Sequence, residues 1–204
     1  VDPDHINMHP KIDRGALITE PSSANGYMRY KYTDSGISPR ALPGLEGYVH
    51  VVATDEHDED STLISDEFTN PHKRRKMVEK RARKFLNIAN EIEPPALEGP
   101  EDAEVTLIGW GSTYGVIKEA IELLKLEGVT ANHLQLRWIV PFHAQAVTDI
   151  LSRSKRTIVV ENNFSGQFYR YLRSETGLSV NGHIRKYDDR IRRPGHRVPE
   201  GVVA

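Results

Sequence analysis

The chain has 204 residues, 38% of them hydrophobic, and a formal net charge of −2. That length suits one large domain or two small ones, and near-neutrality argues against the whole chain being a nucleic-acid binder. It contains no cysteine, which excludes disulfides, thiolate zinc sites and cysteine-held iron–sulfur clusters within these residues and suits a reducing, cytoplasmic setting.

The first residues, VDPDHINMHP, lack Met and lack a signal-peptide pattern, so the sequence reads as an internal piece of a longer chain. No run approaches the ~20 apolar residues a membrane span needs. Residues 1–66 are rich in Pro, Gly, Ser, Asp and His. Strands are expected at GALIT (Gly15–Thr19), YMRYKY (Tyr27–Tyr32) and YVHVVATD (Tyr48–Asp55). So little core-forming pattern predicts an extended arm that packs on another domain or subunit.

Residues 67–102 read as a basic helix followed by a Pro-rich linker. The helix is expected over Asn70–Ile92, with Val78, Ala82, Phe85, Ala89 and Ile92 on its inward face. Pro94 and Pro95 stop it. Its first half, KRRKMVEKRARK, is either a nucleic-acid patch or a solvated or subunit-facing surface beside the acidic DEHDED. The run has no aromatic residues for base stacking, and the acids would offset its field, which favours the second reading.

From residue 103 the pattern changes. Strands at AEVTLIGWG, HLQLRWIVPF and RTIVVEN alternate with helices at YGVIKEAIELLKLEG, AQAVTDILSRS and GQFYRYLRSETG. HIRKYD offers a last short strand. This alternation predicts βαβ units and a parallel sheet, an α/β domain over 103–188 with a tail at 189–204. In the first of these helices Val116, Ala120, Leu123 and Leu124 are expected to face inward, and Gly128 to end it.

The turn Gly109-Trp-Gly111 followed by Ser112 and Thr113 falls at the carboxyl end of the first strand, where parallel sheets bind ligands. The helix start there offers free N–H groups to an anion, and Ser112 or Thr113 suits an N-cap. The spacing matches neither G-x-G-x-x-G nor the P-loop, so a tight turn with a cap competes with a phosphate cradle. Glu161, Asn162 and Asn163 end the third strand on the same rim, either for a ligand or as a turn and helix start. Acids in ATDEHDEDST could draw a divalent cation or face water. The stiff loop TDSGISPRALPG (Thr33–Gly44) places Arg40 near Ser38, where it could pair with a carboxylate or phosphate or bond backbone carbonyls at a subunit contact.

Seven segments together carry a family pattern: DRGALI, GYMRYKYTDSGISPRALPG, DEHDED, MVEKRARK, IGWGST, IVPF and VVENNFSGQ. In this order they resemble alpha subunits of 2-oxoacid:ferredoxin oxidoreductases, closest to the 2-oxoglutarate type, over about Asp13 to Asp188. The resemblance implies that residues 1–66 end a pyrimidine-binding-type thiamine diphosphate domain and that 103–188 form a domain similar to the C-terminal domain of transketolase. The implied reaction is oxidative decarboxylation of a 2-oxoacid with coenzyme A, giving acyl-CoA, CO2 and reduced ferredoxin. The implied beta subunit holds thiamine diphosphate, Mg2+ and a [4Fe-4S] cluster, and ferredoxin is the further partner. No catalytic or metal-ligating residue carries over. Ser38, Arg40, Gly111, Ser112 and Thr113 are the candidates for cofactor or coenzyme A contact. Two departures stand out, EDST after DEHD and KYDDRIRRPGHR near the end, where the family pattern has glycine and DG-R-P. The competing readings are an anion-binding regulatory module and a nucleic-acid binder using Lys73–Lys84.

Overall fold

The computed structural model describes residues 6–22, 26–52, 55–64 and 70–187. The chain forms two compact units, Val1–Ile88 and Ala89–Ala204.

The first unit has little regular structure. Strands β1 (Leu17–Ile18) and β2 (Arg40–Ala41) make a parallel pair two residues long. β1 lies within the predicted GALIT strand. YMRYKY instead makes a turn, with the Lys31 N–H bonding the Met28 carbonyl at 3.2 Å. The described part of YVHVVATD is irregular as well, and Ala53 and Thr54 lie outside the described residues. Strand propensity alone did not suffice, because among the described residues neither segment has a neighbouring strand to complete a ladder. The dominant element is helix α1 (Pro71–Glu91), close to its predicted bounds.

The inward face of α1 differs from expectation. Met77 and Lys80 are its buried residues, whereas Val78, Phe85 and Leu86 are exposed. The reason is the loop at 33–38, which lies along the Lys80, Arg83 and Asn87 side. Arg83 donates to the Thr33 carbonyl at 3.2 Å and Asn87 to the Ser35 carbonyl at 3.0 Å. Gly36 sits against the helix backbone. A side chain there would collide with the Lys80 carbonyl and stand 2.7 Å from the Lys84 nitrogen, and its φ of +78° suits glycine alone.

The acidic segment is paired rather than solvated. Residues 56–64 form a small hairpin bridged at His57 and Leu63. From it Asp58 meets Lys73 at 3.3 Å, and Glu56 meets Arg81 at 2.5 Å and Arg74 at 3.8 Å. Tyr32 donates its hydroxyl to Asp58 at 2.7 Å. Burial raises the Asp58 carboxyl, but the bonds from Tyr32, the Glu59 N–H and Lys73 overcome it and hold the group below its usual range. The same contact and burial push the Tyr32 phenol up.

The second unit is a five-stranded sheet in the order β3-β5-β4-β6-β7. β4 (Val105–Trp110), β5 (Ala131–Leu136), β6 (Thr157–Glu161) and β7 (Gly182–Arg185) run parallel. β3 (Leu97–Glu98) is antiparallel to β5 and comes from the segment expected to be linker. β5 stops at Leu136, short of the predicted RWIVPF, where a cis Val140–Pro141 bond follows. Proline has no N–H for a ladder.

The connecting helices are α2 (Tyr114–Leu126), α3 (Ala144–Arg153) and α4 (Gln167–Thr176). α2 covers one face through Ile117, Ala120, Ile121 and Leu124, packed with Leu107 and Val160. Ile117 is the buried centre and Leu123, expected inward, is exposed. Gly128 follows the helix end, its N–H on the Lys125 carbonyl. α3 and α4 cover the other face, where Val147, Ile150, Leu151, Phe168 and Leu172 pack on Ile108, Leu134, Leu136 and Val159. Strands with apolar residues on both faces are what a sheet covered by helices requires.

Candidate functional site

The strand order locates a switch point. From β4 the chain crosses through α2 to β5 on one side, and from β6 it crosses through α4 to β7 on the other. Between the carboxyl ends of β4 and β6 the connections therefore diverge, and ligand crevices in open α/β sheets form there. Gly111–Thr113 line one side of this crevice and Glu161–Gly166 the other.

On the β4 side Gly111–Thr113 make a single 3-10 turn that leads directly into α2. The Thr113 hydroxyl turns back to Trp110. It accepts the Trp110 N–H at 3.1 Å and donates to the Trp110 carbonyl at 2.9 Å, so it is not the expected helix cap. Gln135 donates to the Gly111 carbonyl at 3.3 Å. Gly109 meets Ile117, Thr113 and Gln135 so closely that no side chain fits. Ser112 and Gly111 are exposed. α2 has neither a side-chain cap bond nor an acid in its first turn.

On the β6 side an internal anion already occupies the helix start. Glu161 is fully buried and accepts the backbone N–H groups of Phe168 at 2.9 Å and Tyr169 at 3.2 Å. It also accepts the Asn163 side-chain amide and meets His183 Nε2 at 2.7 Å. The Gln167 N–H goes to Asn163 Oδ1 at 3.0 Å. A carboxylate at a helix N-terminus satisfies orphan donors and the dipole together. Glu161 and Asn163 thus serve the turn and helix start, the architectural one of the two readings.

Beneath α2 lies a polar group that sequence reasoning missed. His133 on β5 is fully buried, and among the described residues neither ring nitrogen has a hydrogen-bond partner. Tyr114 packs over it at 5.3 Å between ring centroids and donates its hydroxyl to Glu98 at 2.9 Å, and Lys118 reaches the same carboxylate at 3.4 Å. Burial pushes the imidazole down, and the nearby Glu98 carboxylate only partly offsets it. A recess of about 230 Å³ opens beside Glu98, Gln135, Arg137, Trp138 and His143. Trp138, half exposed, and Phe164, 72% exposed, stand on the carboxyl side of the sheet. Nothing in the local sequence marks His133, which occupies an ordinary strand position in HLQL.

Ser38 and Arg40 belong to the other unit, and the structure gives them different surroundings. The Ser38 hydroxyl donates to the Lys31 carbonyl at 3.0 Å and receives Lys80 Nζ at 2.5 Å. Arg40 is exposed, and its guanidinium has no hydrogen bond or ion pair among the described residues. Half of the basic run of α1, Lys73, Arg74, Arg75 and Arg81, is paired with Glu56, Asp58 and Glu79. Among the described residues no group of three His, Asp or Glu side chains could hold a metal. Nor is any described helix long and apolar enough to cross a membrane.

Comparison with known proteins agrees with this architecture. Residues 103–198 match the family described as pyruvate:ferredoxin oxidoreductase core domain II. The alpha subunit of 2-oxoacid:ferredoxin oxidoreductase 2 from Aeropyrum pernix is 37% identical over 182 residues, covering 88% of this chain and 27% of the relative. The KorA subunit of a 2-oxoglutarate oxidoreductase from Mycobacterium tuberculosis is 36% identical over 143 residues, covering 69% of this chain and 20% of that protein. Among solved structures, 2-oxoglutarate:ferredoxin oxidoreductase from Magnetococcus marinus, with 2-oxoglutarate, coenzyme A and succinyl-CoA bound, superposes with a TM-score of 0.68. It is 30% identical, and the match covers 81% of this chain and 29% of that one. The chain therefore spans less than a third of the length of each of these relatives. Over the segment it spans, the chain belongs to the family of 2-oxoacid:ferredoxin oxidoreductase alpha subunits.

Proposed function

We propose that this chain is a segment of the alpha subunit of an enzyme that oxidatively decarboxylates a 2-oxoacid. Coenzyme A accepts the acyl group, CO2 leaves, and the electrons from carbon–carbon cleavage pass to ferredoxin. The observation that carries this reading is the fold match, at 30% identity, to an oxidoreductase with 2-oxoglutarate, coenzyme A and succinyl-CoA bound.

In this reading residues 1–66 complete a thiamine diphosphate domain begun elsewhere, 67–102 connect, and 103–188 are the transketolase C-terminal-like domain. Thiamine diphosphate and Mg2+ would be held chiefly by a beta subunit. An iron–sulfur cluster would take its thiolates from outside these residues, which contain no cysteine. The segment serves mainly assembly. The turn at Gly111–Thr113 is chiefly architectural, since Thr113 ties back to Trp110 and Gly109 admits no side chain. Its exposed first residues, Gly111 and Ser112, can still meet an anion at the uncapped α2 terminus.

The test is reconstitution. The complete alpha subunit, co-expressed with a cysteine-rich beta subunit, should co-purify as a brown complex. It should reduce ferredoxin only when both a 2-oxoacid and coenzyme A are present. A colourless, singly purified alpha chain, or reduction that ignores both substrates, would refute the reading. Trials of 2-oxoglutarate against pyruvate then decide the 2-oxoacid.

A further inference from the structure

We propose that Arg40 recognises an oxyanion of a substrate, a carboxylate or a phosphate, and that Tyr27 and Lys80 are the residues that position it. The proposal rests on the function proposed above and deepens it.

The backbone on both sides of Arg40 is clamped. The Tyr27 hydroxyl donates to the Pro39 carbonyl at 3.0 Å and accepts the Ala41 N–H at 3.1 Å, spanning Arg40 from either side. The Arg40 N–H itself donates to the Ala16 carbonyl at 2.8 Å. Pro39 fixes its own φ immediately before. Every backbone hydrogen bond here holds Arg40 in place, while its guanidinium stays exposed and unpaired among the described residues.

A second anchor acts two residues earlier. Lys80 is only 5% exposed, and its ammonium bonds the Tyr30 carbonyl at 2.7 Å and the Ser38 hydroxyl at 2.5 Å. It makes no ion pair with a carboxylate among the described residues, although a buried cation is costly without one. The neighbouring α1 cations Lys73, Arg74 and Arg81 do pair with acids. Lys80 instead spends its charge on fixing the loop that leads into Arg40.

An arginine with a fixed backbone and a free planar fork is suited to bidentate capture of a carboxylate or phosphate. Holding the loop beforehand removes part of the ordering cost of binding. In the reaction proposed, the 2-oxoacid brings a carboxylate and coenzyme A brings phosphates, so the two sources are separable by kinetics.

The experiment uses the complete subunit assembled with its partner, varying the 2-oxoacid at saturating coenzyme A and then the reverse. Arg40→Gln should raise one KM by about ten- to a hundred-fold, as expected for loss of a charged hydrogen bond, with kcat changing less. The KM that rises names the source of the oxyanion. Arg40→Lys should recover part of the loss. Tyr27→Phe, a mild change that keeps the ring, should raise the same KM by a smaller factor, and Lys80→Met should act in the same direction. Unchanged KM values in an active Arg40→Gln complex would overturn the proposal. So would loss of assembly on size-exclusion chromatography, which would make Arg40 a subunit contact. If Tyr27→Phe leaves that KM unmoved, the positioning role falls. An inactive wild-type complex would instead refute the function proposed above.

Discussion

The carboxylate of Glu161 and the imidazole of His183 meet at 2.7 Å beneath the first turn of α4. Glu161 is at the same time the acceptor for two N–H groups of that turn. One side chain therefore joins the end of β6 to both α4 and β7. Glu161→Ala would leave several buried donors unmet at once, and should cost on the order of 3 kcal/mol. Urea unfolding of the second unit would show the drop in midpoint. Glu161→Gln, which keeps the size but loses charge and one acceptor, should cost less. Equal midpoints for wild type and Glu161→Ala would refute the capping role.

Two glycines in different settings should respond oppositely to alanine. Gly36, at φ +78° and pressed on the α1 backbone, has no space for a Cβ. Gly36→Ala should cost about 2 kcal/mol or more and release the loop from α1. Proteolysis within 33–44 would accelerate as the loop detaches. Gly115 lies in the first turn of α2 with open space around it. Gly115→Ala should add about 0.5–1 kcal/mol of stability, read from thermal melting.

His133 makes the second unit sensitive to mild acid. Its folded pKa lies below the ordinary 6.5 because burial disfavours the charged ring. The unfolded chain therefore takes up the proton first as pH falls through 6.5. The stability linked to a neutral His133 is complete above that value and declines below it until the folded pKa is reached. The slope is up to about 1.4 kcal/mol per pH unit. His133→Leu should flatten this dependence. The comparison is urea midpoints of both proteins between about pH 7.5 and 5.5, the window below the unfolded value. Parallel curves would contradict it.

The two units should differ in independence. Among the described residues of the first unit, only Ile64 and Met77 are buried apolar side chains, while Val49, Val51, Val52, Phe85 and Leu86 are exposed. Expressed alone, residues 1–88 should show no cooperative unfolding, and residues 89–204 should show it, since burial of apolar area is the main favourable term. A sharp melting transition from the first fragment would count against the arm being dependent on a neighbour.

Much of the second unit was legible because its pattern is local. Apolar runs such as VTLIGW and TIVVE, separated by amphipathic helices, leave few alternatives to a parallel sheet. Gly128 as the end of α2 was readable for the same reason. The helix α1 was readable in extent but not in orientation. Its apolar stripe of Val78, Ala82 and Phe85 pointed one way, yet the loop at 33–38 packs against Lys80, Arg83, Lys84 and Asn87. Tertiary hydrogen bonds from Arg83 and Asn87 and the close approach at Gly36 outweighed the hydrophobic period.

The candidate site divides along the same line. By itself the sequence determined the α/β alternation, the glycine turn at a strand end and the stiff loop around Arg40, because each follows from neighbours in the chain. Only the folded structure decided that Ser38 is engaged by a lysine 42 residues away, that Glu161 fills the α4 terminus, and that His133 is buried with no hydrogen-bond partner among the described residues. Those facts depend on which distant groups meet, and on what water is excluded when they do. Residue type and spacing set local conformation, but the partner of a polar side chain is a property of the fold.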